Sequence, residues 1–581
     1  MKVVSRFPTV VPAIIISFRY PMIIYYVILL TIKELYIVAV NACLIKKKYS
    51  AVRFNEKRRN VLSWFCLILL MIVDLSYGLA NIPILILLTS EFISLLKYLL
   101  HHIALLCNRK SLVKKRKVPN ILIAFLLIAY LLIGAVVPYL KYPQVSKEYK
   151  ENFNVNDFYS NTTSCDRACI VENNGEALAE RIRMIENAEN SLILSTFDFR
   201  TDTTGKQVLA ALKAASARGV EVKILVDGFN FWVQMEGNPY FLALMHEENI
   251  EIKVYNKINP LLPYKAMSRM HDKYIIADNE LYLLGGRNTF NYFLGDQSGH
   301  KNYDREVLVY NTGSSGSSLY QLLDYFNQVW NEDCCKTWEH GKLITSLPRV
   351  TSASEELDLI YSEMRTTHSD WFYPADYTEK TVETNKITLL SNPTSLYAKE
   401  PWVFYGLCEL MKNAEESALI HTPYIIADDM MYDSLKSICD SGVPVTIMTN
   451  SSANNGNAFG AIDYVLNKEK ILNTGVQVLE YNGGISYHAK SLLIDNNISI
   501  IGSFNMDYKS VYHDTELMLV IDSEELNSQF SKILDIYHKD TEVAVLDNNE
   551  MSRMMDKDER IGKKILRHVI RVLDPYVRFL F

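Results

Sequence analysis

The sequence carries one pattern of chemically capable residues twice. Residues 271–288 read HDKYIIADNELYLLGGRN, and residues 488–505 read HAKSLLIDNNISIIGSFN. In both copies a histidine is followed, at the same spacing, by a lysine, an aspartate, a glycine and an asparagine. These residues are His271, Lys273, Asp278, Gly285 and Asn288 in the first copy, and His488, Lys490, Asp495, Gly502 and Asn505 in the second. We expect the active site to lie where the two copies meet.

The histidines and lysines of this pattern suit phosphoryl transfer. Side chains two positions apart on a strand share a face, so each histidine lies beside its lysine. A neutral imidazole can attack phosphorus or carry a proton near neutral pH, and a lysine can hold a phosphoryl oxygen. Asn288 and Asn505, each placed beyond a glycine-containing turn, can add hydrogen-bond donors. Two such sets around one phosphodiester stabilise developing charge without requiring a metal or another cofactor.

Two kinds of carboxylate accompany the repeated pattern. Asp278 and Asp495 lie at odd spacing from their histidines, so they point to the opposite strand face, and we expect them to fix local backbone. An Asp-x-Glu sequence follows each copy and can orient a histidine by bonding one ring nitrogen, which leaves the other nitrogen free. The candidates for this role are Asp304, Glu306, Asp514 and Glu516.

Helices and strands alternate in the same order around each copy, which indicates two α/β lobes with mostly parallel sheets. The predicted elements of the first half are a helix over 176–187, a strand over 191–199, a helix over 206–218, and strands over 220–226 and 250–255. Those of the second half are a helix over 409–416, a strand over 417–426, a helix over 431–440, and strands over 443–448 and 476–481. Helix-ending glycines Gly219 and Gly442 lie 442 − 219 = 223 residues apart, close to the 488 − 271 = 217 that separates the histidines. A duplication accounts for both offsets.

The N-terminal region is apolar enough to enter a membrane. Four runs, at about 22–45, 61–80, 82–107 and 121–140, each approach the ~20 residues that cross a hydrocarbon core. The second and third runs could form one hairpin, which would make three spans. Lysines and arginines concentrate in the loops between the first and second runs and between the third and fourth, which predicts that these loops are cytoplasmic and that the rest of the chain lies outside.

The predicted organisation is therefore a membrane region followed by a duplicated catalytic unit. The boundaries are 1–142 for the transmembrane region, 143–172 for a polar tether, 173–340 for the first lobe, 341–390 for a connection, 391–550 for the second lobe and 551–581 for an amphipathic C-terminal helix. The formal net charge of −6 argues against a nucleic-acid partner, which usually requires a basic face. The C-terminal helix either packs on the second lobe or lies against anionic lipid, or does both.

The sequence resembles the phospholipase D superfamily, and within it the bacterial cardiolipin synthases. The resemblance rests on the two HxKx4D motifs, on Gly285-Gly286-Arg287-Asn288 and Gly502-Ser503-Phe504-Asn505, and on segments 218–228 and 421–429. It implies a duplicated fold of two pseudo-symmetric lobes with the site between them. It also implies a membrane-bound bacterial enzyme that converts two phosphatidylglycerols into cardiolipin and glycerol, and the loop charges predict that its catalytic part lies on the outer face of the plasma membrane. The alternative is a phospholipase D hydrolase or a nuclease with the same site.

The resemblance further implies a mechanism and a set of residues that perform it. The catalytic motif residues are His271, Lys273, Asp278, His488, Lys490 and Asp495, and Asn288 and Asn505 bind substrate. His271 would attack phosphorus to form a phosphohistidine, and His488 would protonate the leaving alcohol and later deprotonate the incoming one. The pseudo-symmetry leaves open the exchange of the two histidines.

Overall fold

A computed structural model describes residues 137–139, 141–259, 262–313, 315–339, 347–556 and 561–581, together with residues 130 and 134. The four predicted membrane runs lie outside these ranges, except for a few positions at the end of the last run. Within the described ranges, no helix has the length and apolar character that a bilayer span needs. The number of spans and their orientation stay predictions.

The first lobe is built on one mixed sheet. Its strands, numbered in chain order together with one short strand outside that sheet, are β1 (Asp166–Val171), β2 (Ser191–Thr196), β3 (Glu221–Asp227), β4 (Ile250–Tyr255), β5 (Tyr274–Ala277), β6 (Leu281–Gly285), β7 (Asn302–Tyr303), β8 (Glu306–Asn311), β9 (Cys335–Thr337) and β10 (Val382–Glu383). Nine of them form a sheet in the order β10-β1-β8-β6-β5-β2-β3-β4-β9, and β7 pairs with the other lobe.

The second lobe repeats this arrangement. Its strands are β11 (Lys386–Ser391), β12 (Ala418–His421), β13 (Ile425–Ile426), β14 (Val445–Asn450), β15 (Gln477–Tyr481), β16 (Ser486–Tyr487), β17 (Lys490–Ile494), β18 (Ile498–Gly502), β19 (Met506–Asp507), β20 (Leu517–Asp522) and β21 (Thr541–Val543). The sheet order β11-β20-β18-β17-β12-β14-β15-β21 places β20-β18-β17-β12-β14-β15 as the counterpart of β8-β6-β5-β2-β3-β4. The predicted duplication into two α/β lobes is confirmed.

The helices pack on both faces of the two sheets. In chain order they are α1 (Lys147–Asn152), α2 (Asn174–Asn187), α3 (Thr203–Ala217), α4 (Gly228–Asn230), α5 (Pro239–Leu244), α6 (Ser318–Trp330), α7 (Pro348–Thr367), α8 (Tyr377–Lys380), α9 (Trp402–Lys412), α10 (Asp429–Asp440), α11 (Ala458–Leu472), α12 (Tyr508–Tyr512), α13 (Glu524–His538), α14 (Glu550–Asp556) and α15 (Ile561–Val577). Gly219 and Gly442 follow α3 and α10 with φ of +96° and +98°, a left-handed conformation that lets glycine end a helix.

The prediction of mostly parallel sheets is wrong. Only the β2-β3 and β3-β4 pairs in the first sheet, and β12-β14 and β14-β15 in the second, are parallel. The repeated pattern itself forms an antiparallel hairpin, β5-β6 in one lobe and β17-β18 in the other. A short turn can join two neighbouring strands only when they run antiparallel, and each motif has such a turn at its aspartate.

Two segments predicted as connections contribute to the sheets instead. Residues 143–172, predicted as a tether, contain α1 and strand β1, which pairs with β8 on one side and β10 on the other. Residues 341–390, predicted as a connection, contain α7, whose Val350 and Leu357 are buried in the first-lobe core. They also supply β10 to the first sheet and β11 to the second.

An apolar core lies between the two sheets and holds the lobes face to face. The first lobe contributes Tyr274 and Ile276 from β5, and the second contributes Leu493 from β17 and Ile501 from β18. Alternation along β5 sends Ile275 to the opposite face, where it packs under the helices of its own lobe. The repeated motifs thus lie on strands that are buried on both faces.

The two lobes differ in how the strand after the motif is packed. In the first lobe Glu306 accepts hydrogen bonds from Arg181, at 2.7 Å from Nη1 to Oε2, and lies 3.6 Å from Arg287 Nη1. All three side chains are buried. The corresponding residues of the second lobe are Leu407, Phe504 and Met518, which line one small apolar pocket. A buried ionic cluster in one copy has an apolar counterpart in the other.

This difference predicts unequal responses to matched substitutions. Glu306→Met introduces the residue that the second lobe has here and leaves two buried guanidinium groups without their carboxylate. We expect it to lower the free energy of unfolding by about 3–5 kcal/mol. Met518→Leu, the matched control, should cost less than about 1.5 kcal/mol. Chemical denaturation of the purified protein measures both, and equal losses would contradict the assigned role of Glu306.

Candidate active site

The first histidine is positioned by the opposite lobe. His271 lies just before β5, where Met270 forms an isolated parallel bridge with Thr515. The His271 amide donates to Thr515 Oγ1 at 3.2 Å, and its Nδ1 lies 2.8 Å from Glu516 Oε1. Both partners belong to the second lobe. The carboxylate that orients the first-lobe histidine therefore comes from the other copy.

The second histidine is held in the reciprocal way. Strand β16, which ends at Tyr487, pairs with β7 of the first lobe, and the next amide, of His488, donates to Tyr303 O at 2.6 Å. His488 Nδ1 lies 2.6 Å from Asp304 Oδ2. The two histidine–carboxylate pairs thus cross between the lobes, so a single lobe contains neither pair complete.

Strand register shows which carboxylates correspond. Gly285 pairs with Glu306, and Gly502 pairs with Met518. Counting back two residues from each partner gives Asp304 in one lobe and Glu516 in the other, which are the two residues that contact histidines. The shared Asp-x-Glu letters align differently, with Asp304 opposite Asp514. That sequence alignment is two residues out of structural register.

The other two carboxylate candidates do not orient a histidine. Glu306 is paired with Arg181 and Arg287, as described above. Asp514 accepts a hydrogen bond from the Arg269 amide at 3.3 Å and lies 3.8 Å from Lys509 Nζ. The prediction that Glu306 and Asp514 orient the histidines is therefore wrong, because these two carboxylates contact basic residues instead.

The motif glycines allow the carboxylate strand to approach closely. A Cβ atom on Gly285 would lie 2.3 Å from the Arg305 carbonyl oxygen, and one on Gly502 would lie 2.0 Å from that of Leu517. A Cβ on the next residue, Gly286, would lie 2.2 Å from Asp304 Oδ1. The second lobe has Ser503 there, and its hydroxyl donates to Glu516. The GG and GS forms of the motif therefore match the carboxylate that each one faces.

The two lysines lie close to both histidines. Lys273 and Lys490 each donate to the backbone carbonyl of their own histidine, and Lys490 Nζ is also 2.6 Å from His488 Nδ1. Burial lowers the pKa of Lys273 to about 7 and that of Lys490 to about 8, although neighbouring carboxylates oppose the shift. A bound phosphate anion would favour the charged form of both lysines.

Each of the two predicted asparagines has a buried side-chain oxygen without a hydrogen-bond partner among the described residues. These are the Oδ1 atoms of Asn288 and Asn505, residues that are 8% and 4% exposed. Because an amide can exchange its oxygen and nitrogen by rotation, the unpartnered end can present either an acceptor or a donor to a ligand in the site.

The two histidine–carboxylate pairs differ in electrostatics. Burial and the charges of Lys273 and Lys490 hold the pKa of His271 well below its usual range. Burial and Lys490 lower the pKa of His488 to about 4, against the opposing effect of Asp304. Burial raises the pKa of Glu516 well above its usual range, whereas for Asp304 the Lys490 charge and the His488 hydrogen bond outweigh burial and lower it. The His271–Glu516 pair therefore retains a proton more readily than the His488–Asp304 pair.

The motif aspartates lie at the far ends of the hairpins. Asp278 and Asp495 occupy the turns with φ of +54° and +49°. Asp278 accepts from the amides of residues 189–191 at 2.8–2.9 Å, and Asp495 from those of residues 415–417 at 2.7–3.0 Å. Neither contacts a histidine of the site. Strand parity predicted this backbone role, and the catalytic role implied by the family motif does not fit these contacts.

Several residues that position the site were not predicted. Arg305 is buried and crosses the interface, donating to Tyr487 OH at 2.7 Å and Ser491 Oγ at 2.9 Å, while its Nε binds Glu172 at 2.7 Å. Phe197 and Phe293 place their rings edge-on to His271 and His488, with centroids 4.9 Å and 5.0 Å apart. Arg305 sits between the two acids of the first Asp-x-Glu, which was the only local signal for it.

The opposite pKa shifts of the two carboxylates predict opposite stability effects. Ionised Asp304 stabilises the fold at pH above 3.8, its unperturbed value, whereas ionising Glu516 costs stability as pH rises above 4.5. At pH 7 we therefore expect Asp304→Asn to lower the thermal unfolding midpoint and Glu516→Gln to raise it. Lowering the pH toward 4.5 should remove the Glu516→Gln gain but not the Asp304→Asn loss. Midpoints that shift in the same direction at pH 7 would contradict this assignment.

Comparison with known proteins finds similarity to one family in both lobes. The family model described as "Cardiolipin synthase, PLD-like domain" matches residues 181–330 and 407–537, one range in each lobe. Cardiolipin synthase 1 of Staphylococcus epidermidis is 27% identical over 393 residues, covering 66% of this chain and 71% of the relative. Cardiolipin synthase C of Escherichia coli is 26% identical over 403 residues, covering 62% and 82%.

A solved structure shows the same architecture. The crystal structure of phosphatidylserine synthase from Haemophilus influenzae superposes with a TM-score of 0.53 at 14% identity, covering 75% of this chain and 99% of that one. Its similarity extends across both lobes. The solved structure shows the shared fold, and the family match and the relatives make the chain similar to the phospholipase D superfamily and, within it, to the bacterial cardiolipin synthases.

Proposed function

We propose that the enzyme joins two phosphatidylglycerols to give cardiolipin and glycerol, through a phosphohistidine intermediate. The observation that carries this proposal is the convergence of two carboxylate-bonded histidines and two lysines at one interface. The named relatives add the substrate class, because two of them are cardiolipin synthases. A site with two histidines suits a transfer in two half-reactions, since one group attacks while the other handles the proton.

In the first half-reaction, a histidine Nε2 attacks the phosphorus of one phosphatidylglycerol. The P–N bond forms as the P–O bond to the head-group glycerol breaks, and the other histidine donates a proton to the glycerol oxygen. In the second half-reaction that histidine takes the proton from the head-group hydroxyl of a second phosphatidylglycerol. The new P–O bond forms as the P–N bond breaks, which regenerates both imidazoles. Hydrolysis differs only in that water replaces the second lipid.

The lysines and asparagines supply the stabilisation of charge during both steps. Lys273 and Lys490 would bind the non-bridging phosphoryl oxygens, and their lowered pKa values mean that the anionic substrate itself promotes their protonation. Asn288 and Asn505 would rotate their amides so that an N–H at the unpartnered end donates to the same group. Fixed donors in a water-poor site stabilise the transition state more than they would in water.

The electrostatic environments of the two histidines bear on which of them attacks phosphorus. The family pattern favours His271 as the nucleophile, and we retain that proposal. The ionised Asp304 favours His488 instead, because it fixes the Nδ1 proton and leaves the Nε2 lone pair free, while the His271–Glu516 pair holds a proton to donate. The exchanged assignment is therefore the second candidate.

The membrane setting is part of the proposal. The four apolar runs before residue 142 would embed the enzyme in the bacterial plasma membrane, with both lobes on the outer face. Lipid substrates would then reach the site without leaving the bilayer. The basic loops between the runs and the bacterial origin of the named relatives support this arrangement.

Product analysis tests the proposed reaction. Full-length protein in phosphatidylglycerol vesicles should produce cardiolipin and glycerol in equal amounts, measured by mass spectrometry. His271→Ala and His488→Ala should each lower the rate by at least about 10³-fold, because each removes a group that acts in both half-reactions. His246→Ala, at an exposed histidine outside the site, should retain wild-type activity. Phosphatidic acid as the main product would instead make the enzyme a phospholipase D, and an unchanged lipid pool would contradict both.

A further inference from the structure

The C-terminal helix α15 presents an apolar face to solvent. Ile565, Leu566, Val569, Val572, Leu573 and Tyr576 are all exposed, from 45% at Leu573 to 74% at Tyr576. The neighbouring flank of the helix packs on the second-lobe core through Ile570 and Val577. Both alternatives predicted for this segment can therefore hold together, because some of its apolar side chains pack on the second lobe while others stay exposed.

The charge carried by α15 is almost entirely positive. The helix contains Lys563, Lys564, Arg567 and Arg571, and Asp574 is its single acidic residue. Asp574 is 1% exposed, and burial together with the charge of Asp463 raises its pKa to about 7. At 100° per residue, Lys564 and Arg571 lie about 80° and 100° round the helix from Val572, on the flank away from Ile570 and Val577. An apolar face bordered by cations fits the interface of an anionic bilayer.

Other contacts place this helix beside the end of the apolar N-terminal region and near the active site. Tyr142 stacks on Tyr512 of α12 with ring centroids 4.0 Å apart, and its hydroxyl donates to Phe579 O at 2.9 Å. The Lys509 amide of α12 donates to the C-terminal Phe581 carbonyl at 3.3 Å. Ser510 of the same helix donates to Glu516 Oε1 at 2.6 Å. The chain thus emerges from its apolar region at the edge where α15 lies.

We propose that the exposed face of α15 rests on the anionic phospholipid surface of the membrane, beside the point where the chain leaves its apolar N-terminal region. Val572 and Tyr576 would enter the acyl-chain boundary, and Lys564 and Arg571 would contact the phosphates. This contact would hold α12, and with it the Glu516 side of the site, at the lipid surface. The inference rests on the proposed function in one respect, that the substrates are membrane lipids.

Photocrosslinking tests what covers this face. A benzophenone amino acid placed at Val572 in the full-length protein, reconstituted in phosphatidylglycerol vesicles, should yield adducts with lipid acyl chains. The matched control is the same probe at Leu359, which is 70% exposed on α7 of the first lobe and should yield none. Adducts of Val572 with a second copy of the chain, or with the chain's own N-terminal residues, would overturn the proposal.

The yield of lipid adducts at position 572 also tests whether the helix requires an anionic lipid surface. Replacing phosphatidylglycerol by phosphatidylcholine should lower the lipid adduct yield at position 572, and Lys564→Gln with Arg571→Gln should lower it on the order of fivefold for each cation removed. A yield that is insensitive to both changes would contradict an anionic surface. Adduct formation needs no turnover, so lipid adducts without cardiolipin synthesis would refute the proposed function alone, and synthesis without lipid adducts would refute the surface alone.

Discussion

Two hydrogen bonds between a histidine and a carboxylate, each crossing from one lobe to the other, are the constraint on which the rest of the site depends. His271 is oriented by Glu516 and His488 by Asp304, at 2.8 Å and 2.6 Å. Such bonds tolerate little displacement, so the two sheets must be fixed relative to one another. The apolar core between the sheets, the β7-β16 pair and the buried Arg305 together provide that rigidity. Dividing the chain between its lobes would separate each histidine from its carboxylate.

The two copies share a framework and have diverged at the carboxylates. Gly286 leaves room for Asp304, whereas Ser503 donates to Glu516. The ionic cluster around Glu306 is replaced by apolar residues at the equivalent position in the second lobe, where Met518 lies. One consequence is that the two histidines lie in unlike electrostatic environments, with an ionised carboxylate beside one and a carboxyl of raised pKa beside the other. Unlike environments give chemically similar side chains the separate roles that a two-step transfer requires.

The sequence alone was sufficient to predict the structural features that occur in both halves of the chain. The doubled motif predicted two lobes and a site between them, and strand parity predicted that Asp278 and Asp495 fix backbone. Parity could not choose between Asp304 and Glu306, or between Asp514 and Glu516, because a shift of two residues keeps a side chain on the same face. The choice depends on which residue of the next strand lies opposite Gly285 or Gly502, and pairing of that kind has no local signature. Strands β1, β10 and β11 were missed for a similar reason, since they are short or irregular in pattern and are defined by their neighbours.

The central claim is that phosphoryl transfer proceeds through a covalent bond to one of the two histidines, each of which is oriented by a carboxylate of the opposite lobe. The measurement that tests it most directly is chemical trapping of the intermediate. Full-length enzyme would be quenched during turnover of phosphatidylglycerol with a labelled phosphate, then digested and mapped by mass spectrometry. The account predicts an acid-labile phosphatidyl group on a peptide containing His271 or His488, and none in the variant that lacks that histidine. Label on neither histidine, or on a carboxylate, would contradict it.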